Sequence, residues 1–317
     1  MKLIDYLREK YPESSRTAIK QMLEKGRVQV NGEQRTAYDF PVEKGDKVIL
    51  LPKTVSIARA SLSDVRDDVA AEGVKILFED KDYIVVDKPA GMLSVSSARG
   101  SKAKTGHKEK TLYAILNAYI KEEARTNRKE DLAAGRQPDR STAKVWIVHR
   151  IDKGTSGVLV FAKNERAKDL LQSKWRDFVS EREYIALLER KVEKESGAIQ
   201  SWLMENPKSL KMVSLPEEVS GAQLAISHYK VLDYIHKGKG IYTLTSFSLL
   251  TGRKNQIRVH AASIGHPVAG DEKYGAQTDP IHRLALHASS LVFRHPFTGE
   301  TVRCFSPLPE IFQNYVQ

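Results

Sequence analysis

The sequence predicts an α+β fold in two parts: a small α/β unit over 1–52 and a larger body over 74–317, joined by a linker at 53–73. Three observations predict it. Two helical patterns and two turn-marked strands fill the first fifty residues. Strands dominate the rest, with apolar runs at 158–162 and 181–190 and more through 191–250. Helical patterns stand beside those strands at 111–120, 165–178 and from 256 to about 265.

In the first unit, Leu3, Ile4, Tyr6 and Leu7 share one helical face. Ser14 and Ser15 stand where an N-cap belongs, ahead of a second helix from Arg16 to Lys25 that ends at Gly26. Ile19, Met22 and Leu23 face inward. Arg16, Lys20 and Lys25, with Arg27 just beyond, are candidate RNA contacts, because a basic helix backed by a small sheet can place cations along a phosphate backbone. A small accessory fold with a solvated face fits the same residues. RVQVNG (27–32) alternates and closes in Asn-Gly, a hairpin signal, and VEKGDKVIL (42–50) adds a turn and a strand.

Residues 53–73 lack periodicity, hence the linker. In 75–95 two apolar strands flank Glu79 to Asp82, and Lys88-Pro89-Ala90-Gly91 breaks the second. That hairpin carries a cation into a rigid turn. Residues 96–143 form a basic insertion, expected as two mobile loops around one short helix, Thr111 to Ile120.

The stretch 148–164, VHRIDKGTSGVLVFAKN, concentrates the chemistry. His149, Arg150 and Asp152 precede a turn through Gly154 to Gly157, and a strand with two unlike faces follows, Val158 to Ala162. Charge ahead of a Gly-flanked turn and a buried strand is how a reactive loop is pinned to a scaffold. A hairpin with a surface salt bridge would look the same. A helix at 165–178 comes next, then a strand at 181–190 carrying Tyr184, for which half-buried packing is the ordinary reading. Residues 243–275 give a strand to Leu250, a turn at Thr251-Gly252-Arg253 and a helix from Gln256. RLALHASSLVFRHPFTGE (283–300) reads as a helix and a final hairpin.

Bulk properties bound the function. The chain has 317 residues, 41% hydrophobic and 29% charged, enough for more than one domain. Its single cysteine, Cys304, excludes an intrachain disulfide and a cysteine-based metal cluster, and makes a cytoplasmic setting the default. No apolar run approaches the roughly 20 residues that span a bilayer. The first fifteen residues lack the apolar core of a signal peptide. A net charge of +11 attracts polyanions, of which nucleic acid is the commonest soluble one. A membrane surface is the rival, but no basic amphipathic helix with a bulky apolar face stands out. His260, His266, His282, His287 and His295 show no HExxH spacing and read as capping, packing or phosphate-facing groups, so no metal is expected. No phosphate loop, GxGxxG or GxSxG occurs, so no nucleotide cofactor is expected either.

Residues 14–32 and 42–50 resemble the S-four-like RNA-binding domain, through Ser-Arg, Lys-x-Gly-x-Val-x-Val-Asn-Gly and Gly-Asp in that order. Three further blocks, DYIVVDKPAGMLSV (82–95), HRIDKGTSGVLVFAKN (149–164) and LLTGRKNQIRVHAASIGHPVAGDEKYG (249–275), together resemble the RluA-type pseudouridine synthases. The resemblance spans about 75–310. It implies a mixed, mainly antiparallel sheet with flanking helices, and the cofactor-free isomerisation of uridine to pseudouridine in RNA. It further implies Asp152 as the catalytic aspartate, near the sugar as nucleophile or electrostatic partner. Arg150 would hold the target nucleotide out of its stack. Tyr184 would stack on the uracil and assist proton transfer. Arg258 would pair with Asp152 and keep it ionised and oriented. Ile257, His149 and Arg253 would contribute to substrate binding.

Two departures from the family pattern stand out: Asn255 where histidine is frequent, and Gly154 where an acidic or polar residue is usual. The partner expected is RNA, large-subunit ribosomal RNA ahead of transfer RNA by family habit, and the default state is a monomer. A noncatalytic RNA-binding protein and a glycosidase-like hydrolase are the rival classes. The hydrolase needs a second carboxylate, for which Asp271 is the weak candidate.

Overall fold

The computed structural model describes residues 1–11, 16–24, 28–31, 33–43, 45–46, 48–50, 69–96, 110–134, 143–238 and 240–316. The chain divides into two compact units, Met1–Val55 and Ser56–Gln317. The expected linker lies outside the described residues up to residue 68.

In the first unit α1 (Leu3–Lys10) and α2 (Arg16–Glu24) accompany a three-stranded antiparallel sheet, with β1 (Val28–Val30) between β2 (Glu33–Arg35) and β3 (Val48–Leu50). The apolar positions that share a helical face are the ones that meet: Leu3, Leu7, Ile19 and Leu23 pack on Val28, Val30, Val42 and Val48. Asn31 turns the hairpin at φ 54°. Its side-chain amide donates to Asp46 at 2.8 Å, and Asp46 also accepts from the Glu43 amide. Arg16 and Lys20 are exposed, with the Lys20 ammonium 5.7 Å from the Tyr38 ring centre. Lys25, Gly26 and Arg27 lie outside the described residues.

The second unit is built on one eleven-stranded sheet. Its strands are β4 (Lys75–Glu79), β5 (Tyr83–Lys88), β6 (Trp146–Ile147), β7 (Ser156–Ala162), β8 (Val179–Glu189), β9 (Ser196–Glu205), β10 (Met212–Leu215), β11 (Gln223–Lys237), β12 (Gly240–Leu249), β13 (Leu286–Arg294) and β14 (Thr301–Phe305). The order is β10-β9-β11-β12-β8-β13-β7-β5-β4, with β14 added to β13 and β6 to β7. Every pairing is antiparallel except β13 with β7, where His287 faces Ser156 and Ala288 faces Gly157. Gly157 allows that crossing. Its φ is 111°, and a Cβ there would stand 2.1 Å from the Ala288 carbonyl oxygen.

Strand β7 is buried at all seven positions, a correction to the expected unlike faces. Its alternation instead separates two cores. Leu159 and Phe161 join Leu112, Leu116 and Ile120 of α3 (Leu112–Ala133), while Val158, Val160 and Ala162 join Ala167 and Leu171 of α4 (Glu165–Ser173).

Three other expectations are corrected. The helix read as ending at Ile120 continues to Ala133, so 121–133 is not a loop. Its outer turns meet water and show no apolar period. Glu123 is the buried exception, sharing the Lys163 ammonium with Glu79 at 3.0 and 2.8 Å and so tying α3 to β4 and the end of β7. The remaining insertion, 97–109 and 135–142, lies outside the described residues. The helix expected over 165–178 breaks at Lys174 (φ −113°) into α4 and α5 (Trp175–Phe178). The helix expected from 283 is strand β13, buried at seven of its nine positions before Arg294 closes it. A run buried on both sides loses the alternation that tells strand from helix.

Candidate active site

Asp152 lies in the loop from β6 to β7, and the hairpin of β4 and β5 buttresses that loop from behind. Ser94 donates to the Ile151 carbonyl at 2.9 Å, and the Gly91 amide to the Lys153 carbonyl at 2.8 Å. Lys88 is fully buried, and its ammonium donates to the carbonyls of Pro89, Met92 and Lys153 at 2.9, 2.8 and 3.3 Å. Burial, with the nearby Arg283 charge, pulls its pKa down to about 7.

The opposite wall is α6 (Gln256–Ser263). Asn255 precedes it in the left-handed region at φ 54°. Buried Gln256 fixes the helix start, donating to the Ile226 carbonyl and Ser227 Oγ and accepting from Thr251 Oγ1 and the Arg253 amide, all within 3.0 Å. One turn on, Arg258 points back at the loop.

Two side chains converge on one oxygen of Asp152. Asn255 Nδ2 donates to Oδ2 at 2.6 Å, and Arg258 donates to the same oxygen at 3.2 Å. Oδ1 takes part in neither bond. Arg258 is gripped from behind by Asp271, whose two oxygens accept from it at 2.6 and 2.7 Å. Burial works against the Arg258 charge, but the Asp271 bonds, with Asp152, outweigh it and raise its pKa. Asp271 is 2% exposed and fully engaged, which removes it as the second carboxylate of a hydrolase. Pro267 and Ala269 add to the edge of β8, and the buried Glu189 carboxylate accepts from the Gln277 and Thr278 amides, so the segment carrying Asp271 is fixed at both ends. Asn255 is oriented in turn by Tyr274, whose hydroxyl donates to its Oδ1 at 3.1 Å.

Asp152, Asn255 and Arg258 line a cavity of about 290 Å³, the lower end of the ligand-pocket range. All seven pocket residues expected from the sequence border it: His149, Arg150, Asp152, Tyr184, Arg253, Ile257 and Arg258. Arg150 stands exposed at the rim and Ile257 is buried in the wall. Tyr184 is 6% exposed and, among the described residues, nothing hydrogen-bonds its hydroxyl. Burial holds that hydroxyl above the ordinary tyrosine range; Arg182 opposes the shift and Asp152 adds to it. His149 is neutral, its imidazolium pushed down to about 3 by burial and by Arg182.

A sequence profile described as RNA pseudouridylate synthase matches residues 82–263, and one described as the S4 domain matches residues 1–48. The chain belongs to the RNA pseudouridine synthase family. The synthase is 33% identical to the uncharacterised RNA pseudouridine synthase YlyB of Bacillus subtilis over 93% of this chain and 86% of that one. It is 34% identical to ribosomal large subunit pseudouridine synthase D of Nitrosomonas europaea over 80% and 67%, and 31% identical to synthase C of Yersinia pestis over 92% and 84%. Two solved human structures, RNA pseudouridylate synthase domain containing 1 and 4, share its fold. Their TM-scores are 0.53 and 0.55 at 23% and 22% identity, covering 74% and 78% of this chain and 84% and 94% of theirs.

Sequence reasoning missed how the synthase holds Asp152. Asn255 entered only as a departure, Asp271 only as a rival carboxylate, and Lys88 only as a cation in a turn. His295 entered as one histidine of five, yet it meets Asp80 and Asp82. The Phe297 and Thr298 amides donate to its Nδ1, and its buried Nε2 lies 2.9 Å from Asp80 Oδ2 and 3.9 Å from Asp82 Oδ2. Among the described residues no helix is long and apolar enough to cross a membrane.

Proposed function

We propose that the synthase converts uridines of large-subunit ribosomal RNA to pseudouridine in the cytoplasm, with Asp152 as the catalytic carboxylate. The observation that carries this reading is the convergence of Asn255 and Arg258 on Oδ2 of Asp152, in a cavity that Tyr184 also lines. The ribosomal target is supported by the relatives named as large-subunit synthases.

The reaction breaks the bond from uracil N1 to ribose C1′, turns the base and joins C5 to C1′; a proton leaves C5 and N1 gains one, so the product is an isomer. The two donors hold one oxygen of Asp152 in place, and its carboxylate engages the sugar as the N-glycosidic bond opens. Tyr184 stacks on the freed uracil, and its hydroxyl, protonated at neutral pH, takes part in proton transfer. Arg150 holds the flipped nucleotide at the rim.

The test is to map pseudouridine across ribosomal and transfer RNA in cells with the gene, without it, and with the gene carrying Asp152→Asn. One or more sites in large-subunit RNA should vanish in the second and third. Sites that vanish only from transfer RNA overturn the target. Sites retained with Asp152→Asn overturn the residue.

A further inference from the structure

Beside the uridine pocket lies a second cavity, of about 700 Å³, which the isomerisation does not use. The two are neighbours through shared walls: His149, Arg182, Gly252 and Arg253 line both. A polynucleotide cannot present one nucleotide alone. Whatever flanks a uridine in the first cavity must lie against the next surface along, and one such surface is this cavity.

Its construction suits a nucleotide. The break between α4 and α5 at Lys174 presents three consecutive residues to it, Lys174, Trp175 and Arg176. The two cations are exposed, and Arg182 and Arg253 add two more against a single carboxylate, Asp177. Trp175 is half-buried and stiffly backed. The His149 ring is 4.8 Å from it, centre to centre, and the Arg182 guanidinium lies 5.7 Å from its ring centre. Arg182 is itself held, donating to the Thr251 carbonyl at 2.6 Å. On the same rim Leu250 is 55% exposed, an apolar side chain the fold leaves in water. A rigid aromatic face, an exposed apolar edge and flanking cations are what a base with its phosphate recognises.

We propose that this cavity is a second nucleotide subsite, in which Trp175 stacks on the base next to the target uridine while Lys174 and Arg176 hold the flanking phosphate. The inference rests on the reading of the first cavity as the uridine site. The two cavities then act as a pair, and the second reads the presence of a neighbouring base through its flat face. It adds affinity and register with little sequence preference, since every base offers a π-face.

The test uses the full-length protein and equilibrium binding, so it does not depend on turnover. The probes are nine-nucleotide single-stranded RNAs with a central uridine and either adenosine or an abasic ribose at the 5′ or the 3′ neighbour. Removing the base on one side should weaken binding to the wild-type protein about tenfold, the scale of a base stacked on an aromatic ring. Trp175→Ala should bind the intact RNA as weakly as the wild type binds the abasic one, and should not distinguish the two. Trp175→Phe should keep most of the discrimination. Lys174→Ala with Arg176→Ala, both at exposed positions, should lower the slope of log affinity against log salt by about one while leaving the base dependence intact.

A wild-type protein indifferent to the base on both sides overturns the subsite. So does a Trp175→Ala protein that weakens on intact and abasic RNA by the same factor, since that marks Trp175 as structural. A protein that shows the base dependence but forms no pseudouridine in cells keeps the subsite and removes the catalytic reading.

Discussion

At the scale of single residues, the site is a carboxylate whose direction is set by two donors of different kinds. Asp152→Asn keeps the shape and removes the reactive group. Pseudouridine formation should fall below detection while RNA affinity stays within about twofold, measured by tritium release from C5-labelled RNA and by filter binding. Arg258→Ala is expected to be nearly as severe, because it leaves both Asp152 and buried Asp271 without their cation. Tyr184→Phe should keep stacking and lose only the hydroxyl-dependent steps; an inactive Tyr184→Phe beside an active Arg258→Ala would reverse the two roles. Asn255→Ala should lower kcat by about tenfold or more with little change in KM, because a neutral donor at 2.6 Å orients the carboxylate. An Asn255→Ala enzyme with unchanged kcat and raised KM would instead make Asn255 a substrate contact. Asp152 and Arg258 were legible as candidates because they sit in blocks of recognisable spacing, whereas Tyr184 lies outside those blocks and reads locally as half-buried packing. The role of Asn255 was not legible, since it is a hydrogen bond between groups 103 residues apart, and no local pattern encodes such a bond.

At the scale of elements, strand alternation and turn residues carried most of the sheet. They failed where burial is two-sided, as in β13, or where a helix face meets water, as in the outer turns of α3. The pairing of β7 with β13 depends on Gly157. Gly157→Ala should destabilise the protein by about 3 kcal/mol or more, because the new methyl would meet a backbone carbonyl that cannot move without breaking the sheet. Urea unfolding measures this, and a loss under about 1 kcal/mol would mean the crossing relaxes freely. Helix α6 is docked on β9 and β11 through buried His260, whose ring nitrogens lie 3.1 Å from Ser201 Oγ and 2.9 Å from Ser227 Oγ. Burial pushes its pKa down to about 4, against about 6.5 in the unfolded chain. Between those values the unfolded state holds more protons, so stability is full above pH 6.5 and is lost as pH falls towards 4. The contribution lost between pH 7.5 and 5 is on the order of 2 kcal/mol. His260→Gln should be less acid-sensitive by that amount when unfolding is compared at the two pH values. Equal acid sensitivity would move the proton uptake to other histidines.

At the scale of the whole molecule, the chain joins a matched S4 module to a catalytic unit. The module carries exposed Arg16 and Lys20. Each phosphate it neutralises releases counterions, and covalent linkage raises the concentration of the catalytic unit near bound RNA. Deleting 1–60 should therefore weaken binding to a large structured RNA and flatten its salt dependence. Single-turnover rate at saturating short substrate should stay nearly unchanged. Full affinity with an unchanged slope would leave the module without an RNA role, and a collapsed rate would place it in the catalytic architecture. The two-part organisation was legible because the two matching blocks fall on either side of a stretch without periodicity.

The one parallel contact in the large sheet also bears on how the enzyme comes into being. Ser156, at the end of the loop that carries Asp152, reaches its partner on β13 only across 131 residues of chain. During translation the loop is made early, and its strand neighbour leaves the ribosome many seconds later, at roughly 5–20 residues per second. Until then β7 lacks this neighbour, and until α6 is made, about twenty residues earlier than β13, the Asp152 loop lacks the wall that aims it. The segment that matches the S4 domain, residues 1–48, is therefore made before the reaction centre. The S4 module is complete within the first fifty residues, so it can meet RNA while the reaction centre is still unmade. Activity should then begin only once this pairing, across 131 residues of chain, has closed.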